Sequence, residues 1–138
     1  MDGLNKTLDF LKNAETYFLA TVDEKGKARV RPFGTVNIFD GKLYFQTGAI
    51  KNVSKQIKNN PYIEICAFLD GKWLRVSGKA VLDKRIEAEK SMLDNYPSLQ
   101  GMYKAGDGNT EVYYIDEIES MIYSFTEGNI KLIWKISV

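Results

Sequence analysis

The sequence predicts a mainly β fold, an antiparallel barrel or sandwich with helices on its outside. Three observations carry that expectation. Short runs of aromatic and branched residues recur along the chain, tight turns join them so that neighbouring strands run antiparallel, and only three segments have helical spacing. Two of the turns are Asp-Gly pairs between apolar runs, Asp40-Gly41 and Asp70-Gly71, the strongest short signal for a hairpin.

Leu4, Leu8, Leu11 and Ala14 recur at helical spacing and predict an amphipathic helix over residues 4–14. Strands follow over 17–22 and 28–33, joined by the turn Asp23-Glu24-Lys25-Gly26-Lys27. Pro32 has no N–H to give to a ladder, which places it at an edge, a bulge or a strand end. The first Asp-Gly hairpin joins 35–39 to 42–47. Ile50, Val53 and Ile57 then define a helix over about 50–59, which Asn60-Pro61 ends. The second hairpin joins 63–69 to 73–82, with Leu74, Val76, Gly78, Ala80 and Leu82 on one face. A charged surface helix is expected over 84–96, a loop at 106–109, and closing strands at 111–115, 120–126 and 130–137. Residues 1–138 form one domain on this reading, with no repeat or internal boundary.

The composition excludes several functions. With 19 basic and 18 acidic residues, net charge gives no reason to expect a nucleic-acid or membrane partner. No apolar run is long enough to span a bilayer, and the N-terminus has no basic-then-apolar signal pattern, so a cytoplasmic protein is expected. Histidine is absent, which removes Ser-His-Asp and Cys-His catalysis and histidine metal sites. The single cysteine, Cys66, forms no internal disulfide and reads as a small buried apolar residue. Any redox or group-transfer chemistry then falls to a cofactor.

Three features could make an anion site. Strand alternation points the guanidinium groups of Arg29 and Arg31 to one face, and arginine grips phosphate through paired hydrogen bonds. The run Thr47-Gly48-Ala49-Ile50-Lys51 leads from a strand into a helix start, where free N–H groups attract anions. Lys55 lies one helical turn beyond Lys51 on the same face. Each also has an ordinary reading as solvated surface charge or a helix cap, and no dinucleotide or P-loop fingerprint is present.

The run Phe18-Leu19-Ala20-Thr21-Val22, then Gly26, then Arg29-Val30-Arg31-Pro32-Phe33-Gly34 resembles the opening of the pyridoxamine 5'-phosphate oxidase-like flavin proteins. Asp40 to Thr47, Lys51, Lys55-Gln56-Ile57, Asn60-Pro61 and Leu74 to Ala80 continue the likeness in order and spacing, over about residues 15–82. The short, general-stress-protein-like members are the most similar. The resemblance implies an FMN-binding split β-barrel, with FMN held at a homodimer interface. It implies that Arg31 and Lys51 grip the phosphate with Thr47 beside them and Asn52 and Lys55 as neighbours. Pro32, Phe33 and Gly34 would lie along the ring, Gln46 next to it, and Arg75 would make a polar contact. Trp134 is the candidate contact from the second chain, with a buried interface role as the alternative.

This chain departs from the true oxidases. It has no C-terminal Arg-and-His substrate motif, ending instead Ile133-Trp134-Lys135-Ile136-Ser137-Val138, and Val36 stands where those enzymes have a lysine. Pyridoxamine phosphate oxidation is therefore not expected. The leading expectation is an FMN-dependent oxidoreductase acting on a small molecule with electrons from NAD(P)H. The alternatives are a non-catalytic flavin carrier or sensor, or a split barrel using haem or a deazaflavin. Catalytic residues are not identifiable. A homodimer is also expected from the aromatic residues of the last strands, Tyr113, Tyr114, Tyr123, Phe125 and Trp134, which exceed what one small barrel covers; the alternative is that they fill the barrel's own interior, as strand alternation requires of some.

Overall fold

The computed structural model describes residues 3–124 and the backbone of 130–135. The elements in order are α1 (Gly3–Ala14), β1 (Tyr17–Val22), β2 (Ala28–Phe33), β3 (Asn37–Phe39), β4 (Lys42–Gly48), α2 (Asn52–Asn59), β5 (Tyr62–Leu69), β6 (Lys72–Asp83), α3 (Ile86–Asn95), β7 (Thr110–Ser124) and β8 (Ile130–Lys135). A short 3-10 turn at Pro97–Gly101, which the periodicity did not predict, follows α3. The strands form a sheet ordered β2-β1-β5-β6-β7-β4-β3, with β8 also on β7, and every pairing is antiparallel. β2 and β3 are the ends of that order, and among the described residues no pairing closes it.

Turn chemistry and side-chain alternation explain most of these elements. Asp40 and Asp70 both take positive φ, as do Gly41 and Gly71 after them, so each pair forms a two-residue hairpin turn that fits the twist of its strands. β2 is an end strand, and Pro32 sits opposite Phe18 near its close, where a missing N–H costs no central ladder bond. Leu19 of β1, Ile63 and Ile65 of β5 and Leu74 and Val76 of β6 point to the inner face. There they pack with Leu4 and Leu11 of α1 and Val53 and Ile57 of α2. α3 covers the opposite side of the β4 and β7 end, where Tyr44 and Val112 meet Ala88 and Met92.

The expected strands at 111–115 and 120–126 are instead parts of one strand, β7. A bulge divides it: Ser77 pairs with Glu119 and Lys79 with Asp116, so two residues of β7 face one of β6, and Glu117 takes a φ of 53°. The bulge reverses the phase of alternation, placing Tyr113 and Ile115 before it, and Ile118 and Ser120 after it, in the interior. Gly78 lies against the bulge. A Cβ there would stand 2.6 Å from the Asp116 carbonyl oxygen and from Ile115, so no larger residue fits.

One reading of burial is corrected by the way the sheet is covered, that of Cys66. Ile63, Ile65 and Ala67 take the inner face of β5, which turns Cys66 outward with Glu64 and Phe68, and the cysteine is exposed. Of the last-strand aromatics, Tyr113 fills the protomer's own interior, while Tyr114 and Tyr123 are half-buried. Tyr113 is buried and stacks on Phe45 at 5.5 Å, Tyr114 packs on Tyr44, and Tyr123 stacks on Trp73 at 4.2 Å. Phe125 and the side chain of Trp134 lie outside the described residues.

Candidate functional site

β2 and α2 face each other across a cleft of about 940 Å³, and the sequence places cations on both walls. Arg29 and Arg31, two residues apart on β2, line it together, with Lys51, Asn52 and Lys55 at the start of α2 opposite. Asp23 and Glu24 also line it, so the wall carries four cations against two carboxylates. Lys51 is the N-cap of α2 and makes no side-chain capping bond. Ser54 N donates to the Lys51 carbonyl at 3.2 Å, which leaves the N–H groups of Asn52 and Val53 without a partner among the described residues.

The two arginines are held differently. Arg29 donates from Nε to Asp23 Oδ2 at 3.0 Å. Asp23 also accepts from the backbone N–H groups of Lys25 and Lys27 at 2.9 Å, and these bonds, that of Lys27 foremost, hold its carboxyl below the usual range. Arg31 has no carboxylate partner among the described residues. Its Nη1 donates to the Leu19 carbonyl at 3.1 Å and to Thr21 Oγ1 at 2.8 Å, and its Nη2 donates to Gln56 Oε1 at 2.6 Å. Partial burial lowers the Arg31 pKa, but a guanidinium stays charged in proteins.

A second, smaller hollow of about 230 Å³ lies on the outer face, lined by Phe18, Ala20, Val30, Cys66, Trp73 and Arg75 among others. Val30 lines this hollow and the basic cleft alike, so the two meet along β2. Arg75 donates from Nε and Nη2 to Glu64 Oε1 at 3.1 and 2.8 Å, and this bond raises its pKa. Burial and the neighbouring Glu64 push the Cys66 thiol up, which keeps it protonated. Around the hollow Phe18, Val30, Tyr62 and Phe68 are 49–67% exposed, an apolar surface that no helix of the described residues covers.

The sequence-predicted residues divide between these places. Arg31, Lys51, Asn52 and Lys55 meet in the cleft. Arg75 stands in the outer hollow. Pro32 and Gly34 are exposed, while Phe33 packs inward against Tyr17 and Phe45 at 5.9 and 5.7 Å. Gln46 and Thr47 are buried in β4 and line neither hollow; Gln46 Nε2 donates to the Thr47 carbonyl at 3.0 Å. Thr21 and Gln56, which hold Arg31, are site residues that the sequence alone does not single out. Strand register could have found Thr21, since it shares a face with Leu19 and Arg31. Gln56 lies one residue beyond Lys55, and no sequence pattern distinguishes it from any other polar helix residue.

The family model described as pyridoxamine 5'-phosphate oxidase matches residues 5–119. The chain belongs to that family. A nimC/nimA family protein from Clostridium acetobutylicum is 37% identical, with a TM-score of 0.87 over 94% of this chain and 93% of that one. General Stress Protein 26 from Bacillus anthracis strain Sterne is 20% identical, with a TM-score of 0.71 over 96% and 99% of the two chains. A pyridoxamine 5'-phosphate oxidase-related, FMN binding protein from Nostoc punctiforme PCC 73102 shares the fold at 15% identity, with a TM-score of 0.63 over 97% and 94%. No curated protein sequence matches significantly. The match to the oxidase family covers both walls of the cleft and the outer hollow, from β1 through most of β7.

Proposed function

We propose that this member of the pyridoxamine 5'-phosphate oxidase family is an FMN-binding flavoprotein of the split β-barrel type. The flavin phosphate would be held in the cleft between β2 and α2, with the ring on the outer face under a second copy of the chain. One observation carries the reading: a cationic cleft and an apolar hollow meet at Val30, which suits a ligand with a phosphate at one end and a flat aromatic ring at the other. A relative of the same fold is named an FMN binding protein, which supports the same ligand.

In this reading Arg31 and Lys51 grip the phosphate, Asn52 and Lys55 flank it, and the N–H groups of Asn52 and Val53 at the start of α2 add partial positive charge. Arg75 and the Pro32 to Gly34 backbone serve the ring, and Gln46 and Thr47 support the site from β4. The exposed apolar surface around Phe18, Tyr62 and Phe68 is what a second protomer would cover. The bound flavin supplies the electron transfer, and this chain's residues bind it, orient it and keep water from it. The substrate class is a small molecule, with a nicotinamide as electron donor. A second reading, a flavin carrier or sensor, is favoured by the pairing of Glu64 with Arg75: in the outer hollow no carboxylate of the described residues is left free for acid–base work. Pyridoxamine phosphate oxidation is not part of either reading, because Val36 stands where the true oxidases have a lysine.

The test starts with a visible absorption spectrum of the purified protein, before and after incubation with FMN. A protein that neither carries nor takes up FMN overturns the proposal. Anaerobic stopped-flow mixing of the flavin-loaded protein with NADH or NADPH then separates the two readings. Bleaching of the flavin absorbance within seconds supports the oxidoreductase, and an unchanged spectrum over many minutes supports the carrier.

A further inference from the structure

Arg31 uses three of its guanidinium protons within the protein, and the pattern of use is specific. Nη1 spends both of its protons, one on Leu19 and one on Thr21. Nη2 spends one on Gln56. Thr21 in turn donates from Oγ1 to the same Gln56 Oε1 at 2.6 Å, so Arg31, Thr21 and Gln56 close a ring of hydrogen bonds. Because Thr21 bridges Nη1 to Gln56, the Nη2 proton used is the one on the Nη1 side. Among the described residues, what remains without a partner is the Nε–H and the second Nη2 proton, two parallel donors on one edge of the plane. That edge is the fork with which arginine takes a phosphate or carboxylate bidentately.

The chemistry of the holders matters as much as their position. A guanidinium has donors only, so the Gln56 amide must present its oxygen to Arg31. An amide oxygen, a hydroxyl and a carbonyl fix the group without cancelling its charge. Two residues away, Asp23 fixes Arg29 and does cancel it. Thr21 is 2% exposed, which locks the inner side of the ring.

We propose that Gln56, with Thr21, is a positioning residue that aims the Nε and Nη2 edge of Arg31 into the cleft as a charged fork for the flavin phosphate. The inference rests on the FMN reading and names residues that reading does not need. It gives a role to the neutral Gln56, which lines the cleft beside Lys51, Asn52, Val53 and Lys55.

Fluorescence titration of the full chain with FMN and with riboflavin tests it, using Gln56→Leu, Gln56→Glu and each of these combined with Arg31→Ala. Gln56→Leu should weaken FMN about five- to tenfold and leave riboflavin within about twofold. Gln56→Glu keeps both acceptor bonds and should fold at least as stably, yet it should weaken FMN by about tenfold, because the carboxylate neutralises the fork. In the Arg31→Ala background neither change should cost FMN more than about twofold further. A purely structural Gln56 gives the opposite results: Gln56→Glu binding FMN as wild type, or losses equal for both flavins, overturns the inference. So does a full FMN loss that persists without Arg31. The parent reading fails separately, in the wild-type protein, if FMN and riboflavin bind equally; that result overturns both.

Discussion

The cleft and the outer hollow each contain an arginine, and the two are held in opposite ways. Arg31 is fixed by a carbonyl, a hydroxyl and an amide, so its charge is retained and faces the cleft. Arg75 is fixed by Glu64, so the hollow contains a pair with little net charge, ringed by Phe18, Val30 and Trp73. Under the proposed reading the difference suits the two ends of one ligand. The inner edge keeps an arginine charge uncancelled, as a phosphate would need, and the outer face pairs its arginine with a carboxylate, as a flat ring would tolerate. Arg29, paired with Asp23, and Arg85, paired with Asp83, follow the second pattern and serve the fold.

The largest effect should come from Arg31→Ala, which removes the one arginine of the cleft without a carboxylate partner among the described residues. FMN should bind about tenfold or more weakly, with riboflavin unchanged, since charge-assisted bonds contribute about 1.5–3 kcal/mol each. Equal losses in a fluorescence titration would break the distinction between the two ends. Phe68→Asp tests the other end: it should shift sedimentation from dimer to a monomer of about 16 kDa and weaken both flavins together, by several-fold. A wild-type monomer that binds FMN tightly would contradict the shared site. Arg29→Ala should change FMN affinity by less than about threefold, because its charge already belongs to Asp23, and should cost under about 1 kcal/mol in a urea melt.

The Asp83 and Arg85 pair gives the smallest effect and a sign that can be checked. Hydrogen bonds from Arg85 above all, with Tyr44 Oη at 2.7 Å, pull the buried Asp83 carboxyl from its ordinary 3.8 to about 2. The folded value is the lower one, so the stabilisation is complete above about pH 4 and is lost as pH falls through about 2. Between those limits the urea midpoint of the wild type should fall more steeply than that of Asp83→Asn. Parallel profiles would show that the pair adds nothing to stability.

Local chemistry explains which parts of this account were legible beforehand. The hairpins at Asp40-Gly41 and Asp70-Gly71 were readable because two-residue turns demand positive φ at adjacent positions. Arg31, Lys51 and Lys55 were readable because strand and helix periods place side chains on faces. β7 was misdivided because its bulge reverses the alternation at Glu117 and Ile118, and a phase change looks like a strand end. The exposure of Cys66 was not readable for another reason: which face of a strand is covered depends on where the helices dock, and the strand itself does not record it. Thr21 and Gln56 carry no charge, so only the folded register of β1 against β2, with α2 above them, reveals what they hold.

The central claim is that the cleft binds a phosphate and the outer face a flavin ring. Paired titrations of the wild-type protein with FMN and riboflavin, followed by flavin fluorescence at fixed ionic strength, test it most directly. The account predicts saturable binding of both, with FMN tighter by about tenfold or more. Equal affinity for the two flavins, or riboflavin the tighter, would contradict it.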